Sequence, residues 1–208
     1  MRRTMNIKTN KKITKIMTLI FLLMALSFTA CSNSGNEVKK EYLTGLHHVE
    51  IDVQNYGTIS LELSADDAPI SVTNFVNLAN EGFYNGLTFH RIISGFMIQG
   101  GDPDGNGTGG SGTTIKGEFS ANNVENPISH TRGTISMARS QSNDSASSQF
   151  FIVHEDSLFL DGDYAGFGHV TQGMEIVDLI CANTPVIDGN GTVSSENQPI
   201  ITEIRVID

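Results

Sequence analysis

The clearest pattern along the chain is a period of two that sets in after Leu46. Val49, Ile51 and Val53 alternate with Glu50, Asp52 and Gln54, and beyond Asn55-Tyr56-Gly57 the alternation resumes with Ile59, Leu61 and Leu63. Apolar residues at every second position give an extended segment one buried face, so two such runs about a short Gly-containing turn predict a hairpin. The period then changes. In DDAPISVTNFVNLANEGFY, Val72, Phe75, Val76 and Ala79 fall on one helical face, with Asp67 as candidate cap, Pro69 in the first turn and Gly82 as the stop. A second short helix is predicted over 174–182. Short apolar runs at 87–93, 96–100, 133–138, 150–154, 166–170 and 200–207 read as further strands. With the hairpin they make about eight strands, and two helices are too few for regular β–α alternation. One mostly-β domain, a barrel or sandwich, is predicted.

The first 45 residues follow a different pattern. A basic stretch precedes the apolar run IMTLIFLLMALSF, Ile16 to Phe28. That run is short for a membrane span, which needs roughly 20 residues, but it fits the core of a signal peptide. The small pair Thr29-Ala30 followed by Cys31 resembles a bacterial lipobox, with Phe28 where that pattern usually has Leu. The resemblance implies cleavage before Cys31 and lipid attachment to it; an uncleaved anchor and an ordinary secretory signal are the alternative readings. Several acyl chains on one residue hold a protein firmly to a bilayer, whereas a single chain binds marginally. The polar segment from Ser32 to Thr44 reads as a tether. The expected organisation is therefore a signal peptide over 1–30, a lipidated cysteine and tether over 31–45, and one domain over 46–208. The expected location is extracytoplasmic, anchored to a membrane of the cell envelope. Cys181 then has no disulfide partner, and within MEIVDLICA it reads as a small buried hydrophobe.

Charge sharpens this division. Residues 1–30 hold six of the thirteen Lys and Arg and no acid, while the remainder carries seven basic and twenty-three acidic residues, a formal −16. An acidic body of this size repels phosphate backbones, which argues against nucleic acid as a partner. The oligomeric state stays open, with a monomer as the default expectation.

Several motifs suggest chemistry that their details do not support. The loop GGDPDGNGTGGSGTT begins like a calcium loop, with Asp102, Asp104, Asn106 and Gly107 at positions 1, 3, 5 and 6, but position 12 is Thr113 rather than Glu. It also lacks the Lys-Ser/Thr ending of a P-loop. A surface loop with positive-φ glycines accounts for it, and DGNGT at 188–192 reads the same way. The histidines are scattered without zinc-ligand spacing, and there is no G-x-S-x-G elbow.

Two stretches remain. FHRIISGFMIQGGDP sets Arg91 among apolar residues with no acid beside it and with Gln99 eight positions on. The run from Ile135 to Val170 gathers Met137, Phe150, Phe151, Phe159 and Leu160 near Gln149 and Arg139. Together with NGTGG, SMAR, SSQFFI, FLDG and FGHV, in this order and spacing, they look like the cyclophilin family of peptidyl-prolyl cis-trans isomerases, in its bacterial branch. The resemblance runs from about Leu46 to the C-terminus.

It implies a closed eight-stranded antiparallel β-barrel with two capping α-helices and an active site on its outer surface. By position, Arg91 matches the catalytic arginine. Phe96, Met97, Phe151 and Leu160 match the walls of a proline pocket. Gln99 matches the residue that holds the arginine, and Ala138 and Gln149 match groups lining the groove. Proline-containing polypeptides are the implied substrates, with no cofactor and no metal. Phe89 and Phe150 are expected in the core, and His90 on the face opposite Arg91.

Two groove positions depart from the familiar eukaryotic form, in which Trp stands at Phe159 and His at Tyr164. The family's Trp contacts cyclosporin through its indole N–H, a bond Phe cannot make, so weak cyclosporin binding is expected. Two readings from other classes stay open: a module that binds prolyl peptides without turning them over, and a calcium-dependent β-domain built on the Gly/Asp loops. No role is assignable to VIDGNGTVSSENQPI.

Overall fold

The computed structural model describes residues 41–208. The predicted signal peptide, Cys31 and the tether as far as residue 40 lie outside these residues. Eight strands form one antiparallel sheet: β1 (Leu46–Val53), β2 (Gly57–Ser64), β3 (Phe89–Ile93), β4 (Met97–Gly100), β5 (Thr134–Met137), β6 (Phe150–Val153), β7 (Gly166–Gln172) and β8 (Ile201–Val206). Their order is β3-β4-β6-β5-β7-β2-β1-β8. Among the described residues there are two α-helices, α1 (Pro69–Asn80) and α2 (Met174–Asn183), and three single helical turns. Every predicted strand and helix is present, with ends moved by a residue or two as frayed termini allow.

The alternation read from the sequence determines which face is buried. Val49, Ile51, Ile59, Leu61 and Leu63 are all at most 1% exposed and point into one core. Val72, Phe75 and Val76 of α1 and Ile176, Val177 and Ile180 of α2 pack on that core. Phe75 is its aromatic centre, edge-on to Phe150 at 5.3 Å and 5.1 Å from Tyr84. Burying such a ring contributes about 2–3 kcal/mol relative to leaving it in water.

Four expectations are corrected. The sheet is a curled half-barrel rather than a closed barrel. Its edge strands β3 and β8 meet through the single bridge Thr88–Ile200, with Phe89 N–H bonded to Pro199 O and Ile201 N–H to Leu87 O. Pro199 has no N–H to extend this pairing. Further along, the free edge of β3 is taken by residues 191–193, through Ile92 N–H to Gly191 O at 2.8 Å and Val193 N–H to His90 O at 3.0 Å. The segment without an assigned role thus covers an open sheet edge.

Asp67 does not cap α1. Its carboxylate accepts from the Ser64 hydroxyl, and Ala68 occupies the cap position. The first-turn donors go instead to buried Glu118, which accepts from Ile70 N–H at 2.9 Å, Ser71 N–H at 2.8 Å and the Ser71 hydroxyl at 2.6 Å. A carboxylate at a helix N-terminus also complements the helix dipole.

The folded body begins before residue 46. Leu43 packs on the core and donates its N–H to Thr73 Oγ1, so the end of the expected tether is docked. Cys181 is half-buried against the core rather than fully enclosed, and burial raises its thiol pKa to about 11, well clear of reactivity at neutral pH.

Candidate active site

The site is built on the outer face of the sheet. Within β6, Phe150 and Ile152 face the core, so Phe151 and Val153 must face outward. In β4 the same alternation turns Ile98 inward and Met97 and Gln99 outward. Register then aligns one row across four strands, with Arg91 opposite Gln99, Gln99 opposite Phe151 and Phe151 opposite Ser136. Neighbours in such a row are about 4.8 Å apart.

Strict alternation would place Phe89 and Arg91 on one face, yet Phe89 is fully buried in the core and Arg91 lies outside. A β-bulge resolves this. Phe89 pairs with Gly100 and Arg91 with the adjacent Gln99, leaving His90 as the extra residue. A bulge beside a functional residue re-aims its side chain, and here it turns the guanidinium out while the phenyl ring stays in. His90 itself is 4% exposed, and neither ring nitrogen has a hydrogen-bond partner among the described residues. Burial lowers its pKa, opposed by Asp102 and assisted by Arg91.

Arg91, Phe96, Met97, Gln99, Ala138, Phe151, Phe159, Leu160 and Tyr164 line one open cavity of about 290 Å³, together with Arg139. Gln149 lines an adjoining cavity of about 200 Å³, whose wall shares Gln99, Ala138 and Arg139 with the first. Met97, Phe151, Val153 and Leu160 form a small apolar cluster separate from the main core, with Phe96 and Tyr164 packed against it. Phe96 packs in a tilted arrangement against Phe159, with ring centres 5.5 Å apart, and Tyr164 stands edge-on to Phe151 at 5.9 Å. Phe159 is 72% exposed, so it forms the rim of the cavity rather than its floor.

The guanidinium is held without being neutralised. Nε donates to the Asn190 carbonyl at 2.9 Å and Nη1 to Gln99 Oε1 at 3.2 Å. Gln99 is fixed in turn, donating to Gln149 Oε1 at 2.9 Å, and Gln149 donates to Gly109 O at 2.8 Å. No carboxylate pairs with Arg91 among the described residues, and Nη2 has no acceptor there. Partial burial lowers its pKa from the ordinary guanidinium value, with Tyr164 and Asp188 acting in the opposite direction. A guanidinium stays charged through such a change.

Three supports were not apparent from the sequence. The Asn190 carbonyl is presented by the loop that covers β3, and the Asp188 carboxylate braces this loop by accepting from Asn190 N–H and from the Thr192 N–H and hydroxyl. His130 stacks on the buried side of Phe151 at 6.0 Å and bridges Ser136 Oγ to Asp161. Asp161 directly follows the single helical turn Leu158–Leu160, so His130 ties Phe159 and Leu160 to the sheet. The glycine loop after β4 binds its own acid: Asp102 accepts from the N–H groups of Asp104, Asn106 and Gly107, which accounts for its pattern without a cation.

A family model for the cyclophilin type peptidyl-prolyl cis-trans isomerase/CLD matches residues 48–206. The chain belongs to this family. Among similar proteins, a Helicobacter pylori peptidyl-prolyl cis-trans isomerase is 48% identical over 146 residues, which is 69% of this chain and 86% of that one. Peptidyl-prolyl cis-trans isomerase B of Bacillus subtilis is 53% identical over 117 residues, 56% of this chain and 78% of that one. A crystal structure of a Cryptosporidium parvum cyclophilin, determined in the presence of the dipeptide Ala-Pro, superimposes with a TM-score of 0.68 at 32% identity, covering 77% of this chain and 99% of that one. As a cyclophilin, the chain is a peptidyl-prolyl cis-trans isomerase.

Proposed function

We propose that Arg91 is the catalytic residue and that the cavity walled by Phe96, Met97, Phe151 and Leu160 takes the proline ring of the substrate. The carrying observation is a guanidinium oriented by two neutral oxygens, Asn190 O and Gln99 Oε1, at the edge of an apolar, aromatic-walled cavity. The related cyclophilin crystallised with Ala-Pro supports the substrate class.

The chemistry needs no nucleophile or base, because no covalent bond breaks. An X-Pro amide resists rotation through its partial double-bond character, and uncatalysed exchange takes tens to hundreds of seconds. Rotation localises a lone pair on the prolyl nitrogen. A guanidinium that hydrogen-bonds the substrate backbone favours this localised form over the delocalised amide. Gln99 and Asn190 orient the cation while leaving its charge uncompensated, and the partly dry cavity screens its field less than water does. A 10⁵-fold acceleration corresponds to about 7 kcal/mol of differential stabilisation, within reach of oriented charge plus positioning. Aromatic walls hold the ring while the preceding carbonyl swings, Phe159 and Tyr164 form the rim, and Ala138 and Gln149 line the continuing groove.

The clients in this reading are exported polypeptides, and Cys31 carries the lipid that anchors the protein outside the cytoplasm. The basic stretch, short apolar run and F-T-A-C sequence support this part. A refolding experiment tests the function: the full chain, in mild detergent, should shorten the proline-limited slow phase of a denatured exported protein, and Arg91→Ala should abolish the effect. Labelled palmitate should be incorporated by the wild type but not by Cys31→Ser. A slow phase unchanged by the wild type, or label retained by Cys31→Ser, would count against the respective half.

A further inference from the structure

The described residues include four arginines. Two are matched by acids: Arg132 pairs bidentately with Asp178 and lies near Glu155, and Arg205 pairs with Glu50, Asp52 and Glu203. The other two, Arg91 and Arg139, have no carboxylate partner among the described residues, and both line the same cavity. In a body with more than three acids for every base, this distribution concentrates uncompensated positive charge in the substrate groove.

Arg139 is also rigidly placed. Its Nε donates to Asp163 O and its Nη1 to Ser140 O, both at 2.9 Å. The guanidinium carbon lies 4.7 Å from the Tyr164 ring centre and 5.1 Å from that of Phe119. These contacts leave Nη2 without an acceptor among the described residues. The residue stands in the wall common to both cavities, and the second cavity is otherwise lined by glycines, Ala138, hydroxyls and the amides of Gln99 and Gln149, with no acid. A polar recess with one fixed cation and no anion is complementary to a carboxylate side chain.

We propose that Arg139 makes the enzyme selective for clients carrying Asp or Glu two residues from the isomerised proline. The inference rests on the proline ring occupying the Phe96–Phe151 cavity. In an extended peptide, alternate side chains face the same surface about 7 Å apart, so the side chain two positions from that proline faces the adjoining recess, while the one directly before it faces away.

The test uses the full chain in mild detergent and peptides carrying Glu, Gln or Lys two positions before the proline, with a parallel set two positions after. Exchange is read as kcat/KM by NMR, and affinity in the same titration. In one of the sets, Glu should exceed Gln and Gln exceed Lys, each step by about two- to fivefold, the size typical of a partly exposed ion pair. The spread should shrink at 1 M salt, where the screening length is about 3 Å. Arg139→Gln should level the series and Arg139→Lys should keep its order. Wild-type kcat/KM and affinity that are flat in both sets, a Glu preference that survives in Arg139→Gln, or a variant that slows all peptides equally while keeping their ratios would overturn the proposal. Binding with the Glu preference but without accelerated exchange would overturn the assignment of catalysis to this groove and leave the role of Arg139 standing.

Discussion

The loop over β3 makes a specific demand on Gly191. Its φ is +79°, and an added Cβ would lie 2.3 Å from Ile92 O and 2.5 Å from Ile93 Cγ1. The first obstacle is backbone within the sheet, so in Gly191→Ala it is the loop that must lift, by about 1 Å to restore ordinary contact. The positive φ adds about 1–2 kcal/mol of strain for any residue with a Cβ. Lifting stretches Ile92 N–H to Gly191 O and draws the Asn190 carbonyl away from Arg91 Nε. A hydrogen bond to a charged group is worth about 1.5–3 kcal/mol, or roughly ten- to a hundredfold in rate when it orients the reacting group. Gly191→Ala is therefore expected to lower kcat/KM for a short X-Pro peptide ten- to a hundredfold, with a melting temperature a few degrees lower. Gly189→Ala is the matched control in the same loop: its Cβ would meet nothing within 4 Å and its φ is not positive, so activity should hold. Full activity in Gly191→Ala, with or without loss of stability, would refute the idea that this loop aims the arginine.

Three further outcomes follow from the geometry. Glu118→Gln removes the charge that serves three donors at the start of α1, and should cost about 3 kcal/mol, lowering the melting temperature by roughly 6–12 °C in a thermal scan. His90 and His130 both have pKa values lowered by burial, so the unfolded chain binds protons more readily than the folded one. Their contribution is fully present above about pH 6.5 and is lost as pH falls through the folded values, by at most ~1.4 kcal/mol per pH unit each. Melting temperatures should fall between pH 6.5 and 5, before carboxylate protonation sets in near pH 4, and a flat profile would contradict this assignment. Phe159 offers no N–H at the cavity rim, so cyclosporin should inhibit weakly and Phe159→Trp should strengthen it; nanomolar inhibition of the wild type would contradict the reasoning.

Much of this architecture can be read from the chain because period two is a local signal. The inward and outward faces of β1, β2 and β6 follow from alternation alone, and the groove candidates fall together because β4 and β6 obey the same rule. Tertiary partners decide what alternation does not reveal. The bulge at His90 puts Phe89 and Arg91 on opposite faces, although in sequence they stand two apart like any same-face pair. The cap of α1 comes from Glu118, 48 residues beyond the donor it meets, while the local candidate Asp67 turns back to Ser64. The loop at 188–192 acts on Arg91 through a backbone carbonyl, a group every residue carries, so no side-chain pattern announces it. His130 and Asp161 meet across 31 residues and only the folded chain brings them under Phe151.

The proposed mechanism depends above all on Arg91 as an oriented, uncompensated cation. The most direct measurement is NMR exchange spectroscopy of a short X-Pro peptide with the full chain, its Arg91→Ala variant and its Gln99→Ala variant, each checked for a native spectrum. The proposed mechanism predicts rapid cis-trans exchange with the wild type, loss of nearly all acceleration in Arg91→Ala with peptide binding retained, and an intermediate rate when Gln99 no longer holds the guanidinium. Undiminished exchange in a folded Arg91→Ala variant would contradict it.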